Sequence, residues 1–117
     1  MTETIHRYSV LCIALAVLIS STVCLAEEPK QIDAKRIYNN NCAKCHGRFG
    51  KPTKRGKRLG APNFSSRFWQ VSVTDEQIID AITYGKNKMP GWRKVLTTEE
   101  IKAAARWVRV LSPRKKR

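Results

Sequence analysis

Cys42-Ala43-Lys44-Cys45-His46 has the spacing C-x-x-C-H. Two thiols three residues apart fall on one side of a helical turn, where each can add to one vinyl group of the same porphyrin. His46 follows on that turn and sets an imidazole under the iron, a normal haem ligand in its neutral form. Three other readings compete. A thioredoxin-like C-x-x-C wants a βαβ context, and no such pattern surrounds residues 30–60. A zinc site needs about four Cys, His or carboxylate ligands, yet Cys42, Cys45 and His46 are the only soft ones nearby. A Cys42–Cys45 disulfide would leave His46 without a role. Covalent haem attachment gives every residue of the motif a task and is preferred on that ground.

Upstream, residues 1–26 have the pattern of a secretory signal. Arg7 precedes an apolar run from Val10 to Ile19, and Cys24-Leu25-Ala26 is a small-residue exit. The run is nearer a signal core than the ~20 residues of a membrane span. Retention as an uncleaved anchor is the alternative, and Ser21-Thr22-Val23 before Cys24 lacks the pattern of a lipoprotein site. Cleavage after Ala26 would remove Cys12 and Cys24, so both cysteines of the mature chain would belong to the motif. The expected destination is an exporting compartment, the periplasm first, with a thylakoid lumen as the other choice.

Residues 27–117 then form one domain, too short for two. So small a chain buries a modest core, and a large apolar cofactor fixed inside it would supply much of what is missing. The pattern is all-α, three to four helices joined by loops. A first helix over 33–41 leads into the motif, with a weak face of Ile32, Ile37 and Tyr38. From Arg48 to Gly60 the chain is rich in Gly, Pro and Lys and is expected to be a surface loop. Pro62 sets a corner, and Phe64 could pack beside a porphyrin. Thr74-Asp75-Glu76-Gln77 is a capping box opening a helix that Gly85 stops. After a loop carrying Met89-Pro90-Gly91-Trp92, Thr97-Thr98-Glu99-Glu100 is a second one. Ile101, Ala104, Ala105, Val108 and Leu111 continue it as an apolar stripe until Pro113. Residues 112–117 are a basic tail.

The residues in this order resemble the small class I cytochromes c, the bacterial or organellar single-haem branch. The likeness runs over nearly the whole domain: Ala34-Lys35-Arg36-Ile37-Tyr38 into the motif and Gly47, then Met89-Pro90, then Arg106-Trp107-Val108-Arg109 in the closing helix. The resemblance implies that His46 is the proximal iron ligand and a methionine in the late loop the distal one. It also implies that Tyr38 and Trp107 meet where the first and last helices cross. The basic stretch 48–58 and Trp107, where many relatives carry tyrosine, depart from the pattern.

Residue counting supports the methionine independently. Beyond residue 26, His46 is the only histidine and Met89 the only methionine. A thioether stabilises ferrous iron better than a second imidazole, so His/Met ligation raises the reduction potential. Lys86 or Lys88 as ligand, or an open iron site, are the alternatives, and a gap-filling core methionine is the structural one. With both axial positions filled, small molecules are kept from the iron and electron transfer is favoured over oxygen or peroxide chemistry. No catalytic constellation accompanies the motif: Asp75, Glu76, Glu99 and Glu100 are charges at helix starts.

The formal net charge is +14. Arg48, Lys51, Lys54, Arg55, Lys57 and Arg58 crowd the stretch after the motif, and Lys86, Lys88, Arg93 and Lys94 flank Met89. A positive rim of this kind would steer the domain onto an acidic redox partner. The bland alternative is a solvated, solubilising loop. Export and the lack of any nucleic-acid motif argue against nucleic acid, whereas an anionic membrane surface suits the tail. Trp69 is the expected contact to a haem propionate through its indole N–H, ahead of Trp92 and Tyr84; Arg58 or Arg67 could pair with a propionate. These features point to a monomeric, exported one-electron carrier. The alternatives are a haem subunit of a larger dehydrogenase or oxidase complex, and an open-site haem sensor or peroxidase.

Overall fold

Asp33 opens the fold: its carboxylate accepts the Arg36 backbone N–H at 2.9 Å and caps α1, Ala34–Asn41. The computed structural model describes residues 31–113. The signal reading of 1–26, the proposed start at residue 27 and residues 114–117 of the tail lie outside these. Ile37 and Tyr38 are the buried face of α1. The Cys42 N–H donates to the Tyr38 carbonyl at 2.8 Å, and after that one residue the chain re-enters a single turn, α2, Ala43–His46. Gly47 stops it. With φ at 72° it takes a conformation that side-chain-bearing residues rarely adopt, and a Cβ there would run into the Lys51 carbonyl oxygen. The Tyr38 hydroxyl donates to the Gly47 carbonyl at 2.8 Å, so α1 itself fixes where α2 ends.

The expected loop between Arg48 and Gly60 contains a helix instead, α3, Lys54–Arg58. Thr53 caps it by accepting the Gly56 N–H at 3.1 Å. A second short helix, α4, Arg67–Ser72, follows Pro62 and Phe64, with Ser66 accepting the Trp69 N–H at 3.4 Å. Both capping boxes form. Thr74 and Gln77 exchange hydrogen bonds at the start of α5, Asp75–Tyr84. Thr97 and Glu100 do so at the start of α6, Thr98–Val110. Among the described residues there are thus three helices of eight residues or more and three shorter ones. The long ones answer the expected three to four helices.

Between α5 and α6 the loop closes on itself as a small antiparallel hairpin. Strand β1, Gly85–Lys86, pairs with β2, Met89–Pro90, so that Lys86 faces Met89. Asn87 turns the corner with φ at 54°, a conformation that asparagine tolerates better than most residues. Helix α6 packs against α1 and α5. One core cluster results, containing Ile37, Tyr38, Cys42, Phe64, Ile78, Ile82, Ile101, Ala104, Ala105 and Val108. The small alanines of α6 let its backbone approach its neighbours closely. Tyr38 has Phe64 as its aromatic neighbour, with ring centroids 6.5 Å apart. Trp107 packs against the same core, and its Nε1 is buried without a hydrogen-bond partner. Among the described residues, no helix is long and apolar enough to cross a membrane.

Burial, and next to it the Cys42 thiol, hold the Tyr38 phenol above its ordinary ionisation near pH 10. The unfolded chain therefore gives up this proton more readily than the folded one. Stability from this source is intact below about pH 10 and declines as pH rises beyond it. Tyr38→Phe should remove that share of the alkaline decline. At pH 7 it should cost about 1–2 kcal/mol, because the Gly47 carbonyl loses its donor. Urea unfolding of both proteins at pH 7 and 10.5 measures the two effects.

Candidate haem site

On α2 the geometry follows from a single turn. The N–H groups of Cys45 and His46 both donate to the Cys42 carbonyl, at 3.1 and 3.0 Å. This brings residues 42, 45 and 46 to one side, since side chains three and four apart neighbour each other on a helix. Cys42 is buried, Cys45 half-buried and His46 buried, and both thiols are free.

The turn is braced from behind by α3. The Cys45 carbonyl accepts the Thr53 N–H at 3.0 Å and the Thr53 hydroxyl at 3.3 Å, and the Lys44 carbonyl accepts the same hydroxyl at 2.9 Å. Gly56 lies so near that a Cβ on it would strike the Cys45 carbonyl oxygen. Phe64 covers the other flank. Its ring is stacked on the His46 imidazole, centroids 4.4 Å apart and planes within 11°, and Trp69 leans on Phe64 at 4.7 Å. Burial lowers the His46 pKa, while the Pro62 carbonyl pulls it partly back. That carbonyl is close enough to be felt, yet His46 Nδ1 makes no hydrogen bond of full geometry. The Cys42 thiol is pushed up to about 11, by burial first and by the neighbouring Cys45 second.

These features fit a covalently held haem. Two unpaired thiols three residues apart share one helical turn with a buried imidazole kept neutral, the form that binds iron. The Pro62 carbonyl beside the ring is the kind of second partner that orients a metal-ligating imidazole through its other nitrogen.

The structure brings some of the other expected residues to this core and not others. Met89 is half-buried on β2 and packs, with Trp69 and Trp92, against the cluster that includes Cys42. Tyr84 is exposed, 5.7 Å from the Arg93 guanidinium, and so faces solvent. Arg48, Lys51, Lys54, Arg55, Lys57, Arg58, Lys86 and Lys88 are all exposed. Four of them ride on α3, against the Cys45 side of the motif. Gln70 and Arg109 form a part-buried polar contact, at 3.0 Å. Helical spacing gave no sign of it, since the partners lie almost forty positions apart.

A small helical fold built around a C-x-x-C-H turn defines a single-haem, class I cytochrome c. The family profile described as cytochrome c oxidase, cbb3-type, subunit III matches residues 30–108, and the chain belongs to that family. It is 33% identical over 78 residues to the Cbb3-type cytochrome c oxidase subunit FixP of Bradyrhizobium diazoefficiens, covering 66% of this chain and 26% of that protein. It is 34% identical over 91 residues to subunit CcoP of Rubrivivax gelatinosus, covering 75% and 28% respectively. The chain thus spans about a quarter of the length of the curated relatives it matches. Among solved structures it is similar to the KustC0563 c-type cytochrome, with a TM-score of 0.68 and 38% identity over 70% of this chain and all of that one. As a member of the family it carries covalently bound haem c and serves electron transfer.

The seat of α3 gives a sign test. In an ordinary helix interior, Gly→Ala gains about 0.8–1 kcal/mol. Gly56→Ala should instead lose about 1–3 kcal/mol, as overpacked sites do, because the added methyl meets the Cys45 carbonyl. Lys57→Ala on the exposed side of the same helix should change little. Thermal unfolding of the two holoproteins distinguishes them.

Proposed function

We propose that this domain is an exported one-electron carrier in which Cys42 and Cys45 hold the haem through thioethers and His46 and Met89 are the axial ligands. The observation that carries the proposal is the braced turn of α2, with two free thiols and a buried neutral imidazole together on it. Bound there, haem supplies a reversible one-electron change at iron.

The protein's own residues do the rest. Phe64, stacked on His46 and backed by Trp69, keeps water from the imidazole. Pairing of β1 with β2 and the rigid Pro90 beside it limit the positions open to Met89. A thioether in the sixth position favours the ferrous state and closes the iron to small molecules. Trp69 is the proposed propionate donor, on the strength of its half-buried place beside Phe64.

Recognition falls to charge. The exposed cations of α3 stand against the Cys45 side of the motif, and Lys86 and Lys88 belong to the hairpin that carries Met89. A cationic surface at these two places draws an acidic redox partner, and the rate of encounter falls as salt rises. The signal-like pattern of residues 1–26 supports export, with the periplasm as destination, and the domain is proposed to act as a monomer. A second reading is favoured by the relatives themselves. FixP and CcoP are cbb3-type oxidase subunits, so the domain could work as a haem subunit within a larger oxidase. Elution of the native protein as a small free species supports the carrier; co-elution with oxidase subunits supports the complex.

Met89→Ala should lower the reduction potential and let carbon monoxide bind the ferrous protein rapidly. An unchanged spectrum and potential would assign the sixth position to another group. Raising ionic strength from about 10 mM to about 200 mM should slow electron exchange with an acidic partner by about tenfold or more. A flat response would remove the steering role of the basic surface.

A further inference from the structure

Gln70 is a polar side chain sealed in the core, only 8% exposed, and each of its amide atoms is used. Its Nε2 donates to the carbonyls of Phe64 at 2.8 Å and Val108 at 2.9 Å. Its Oε1 accepts from Arg109 Nη1 at 3.0 Å. Arg109 in turn donates to the Gln70 carbonyl and the Val73 carbonyl, both at 2.6 Å, and to the Asp75 carboxylate at 2.7 Å. A buried amide is tolerated only when paired in this way. The bonds to Val108 and Arg109 are enough to staple α4 to α6. The bond to Phe64 reaches toward the haem site.

Phe64 is held at both ends of its backbone. Its N–H donates to the Gly50 carbonyl at 2.8 Å, and its carbonyl receives Gln70. Its ring then lies flat on His46, with Trp69 and Tyr38 behind it. The Pro62 carbonyl lies near the imidazole without closing a hydrogen bond of full geometry to Nδ1, and the parallel stack is a second restraint on rotation of the ring about its Cβ–Cγ bond.

We infer that Gln70 is a positioning residue for the axial imidazole: its amide fixes Phe64, and Phe64, together with the Pro62 carbonyl, holds the plane of the His46 ring. This rests on the proposed reading of His46 as an iron ligand. Groups behind a ligand set its orientation and tune the metal. The plane of an axial imidazole decides how unpaired spin spreads over the porphyrin of ferric haem, and the proton shifts of the haem methyl groups report that spread.

The test compares proton NMR spectra, reduction potentials and thermal unfolding of wild-type, Gln70→Leu, Phe64→Leu, Gln70→Glu and Arg109→Lys holoproteins. Gln70→Leu and Phe64→Leu should both change the spread of methyl shifts and move the potential, and the double variant should go no further than Phe64→Leu alone. Gln70→Glu keeps the acceptor for Arg109 and loses the donor to Phe64, so it should also change the methyl shifts; it serves if the leucine variant fails to fold. Arg109→Lys should lower thermal stability and leave the methyl pattern as in wild type. Gln70 variants that lose stability with wild-type methyl shifts and potential would reduce Gln70 to a staple and overturn the inference. So would an Arg109→Lys change as large as that of Gln70→Leu, since general loosening would then be the cause. A wild-type spectrum without histidine ligation would overturn the assignment of His46 and this inference with it, and it would be seen before any substitution is made.

Discussion

The Cys45 carbonyl is the point on which the architecture turns. It takes two hydrogen bonds from Thr53, through the N–H and the hydroxyl, and Gly56 presses against it with no room for a side chain. A four-residue helix such as α2 cannot hold itself together, because nucleation costs more than so few hydrogen bonds return. Its stability has to come from what packs on it. Tyr38 closes the end at Gly47, α3 closes the back, and Phe64 closes the flank. The three side chains of the motif are thereby held toward one space by groups drawn from three parts of the chain.

That arrangement divides the labour between the long helices and the short ones. α1, α5 and α6 bury the apolar cluster and carry most of the packing, with Ala104 and Ala105 allowing close approach. α3 adds no large apolar side chain, and α4 adds Trp69. They deliver a capping threonine, a glycine seat and a glutamine bridge to the residues around His46. Removing a long helix would cost the fold, whereas altering a short one would act first on the geometry of the site.

This division also decides what could be read in the sequence. The capping boxes at Thr74 and Thr97 were legible because each is completed within four residues. The motif was legible because its chemistry lies in its spacing. α3 was not, since Lys54-Arg55-Gly56-Lys57-Arg58 has no apolar face and a glycine at its centre, the composition of a loop. Its helical state depends on Thr53 and on contact with Cys45. α4 hid for a different reason: Phe68 and Val71 are 80% and 77% exposed while Gln70 is buried, the reverse of an amphipathic pattern. Met89 could be singled out by counting methionines, but the hairpin carrying it could not, because its turn depends on the φ of one residue, Asn87.

Charge follows the same partition. From Ala34 to Thr74 the chain contains no acidic residue, and this stretch includes the motif, α3 and α4. Asp75 and Glu76 begin α5, and Glu99 and Glu100 begin α6, where they meet the positive ends of those helices. The acids are therefore spent locally and leave the cations around the motif largely uncompensated. On the proposed ligation, that field has two effects of different range. Close to the iron, through a medium of low dielectric, it favours the state with one more electron and so raises the potential. Farther out it would act as steering, until salt screens it beyond about 8–10 Å. An acidic partner of the proposed kind, docked on α3, would neutralise both effects at once. The field proposed to bring the partner in would be weakened by its arrival, and the reduced domain would then hold its electron less tightly where it is to be passed on.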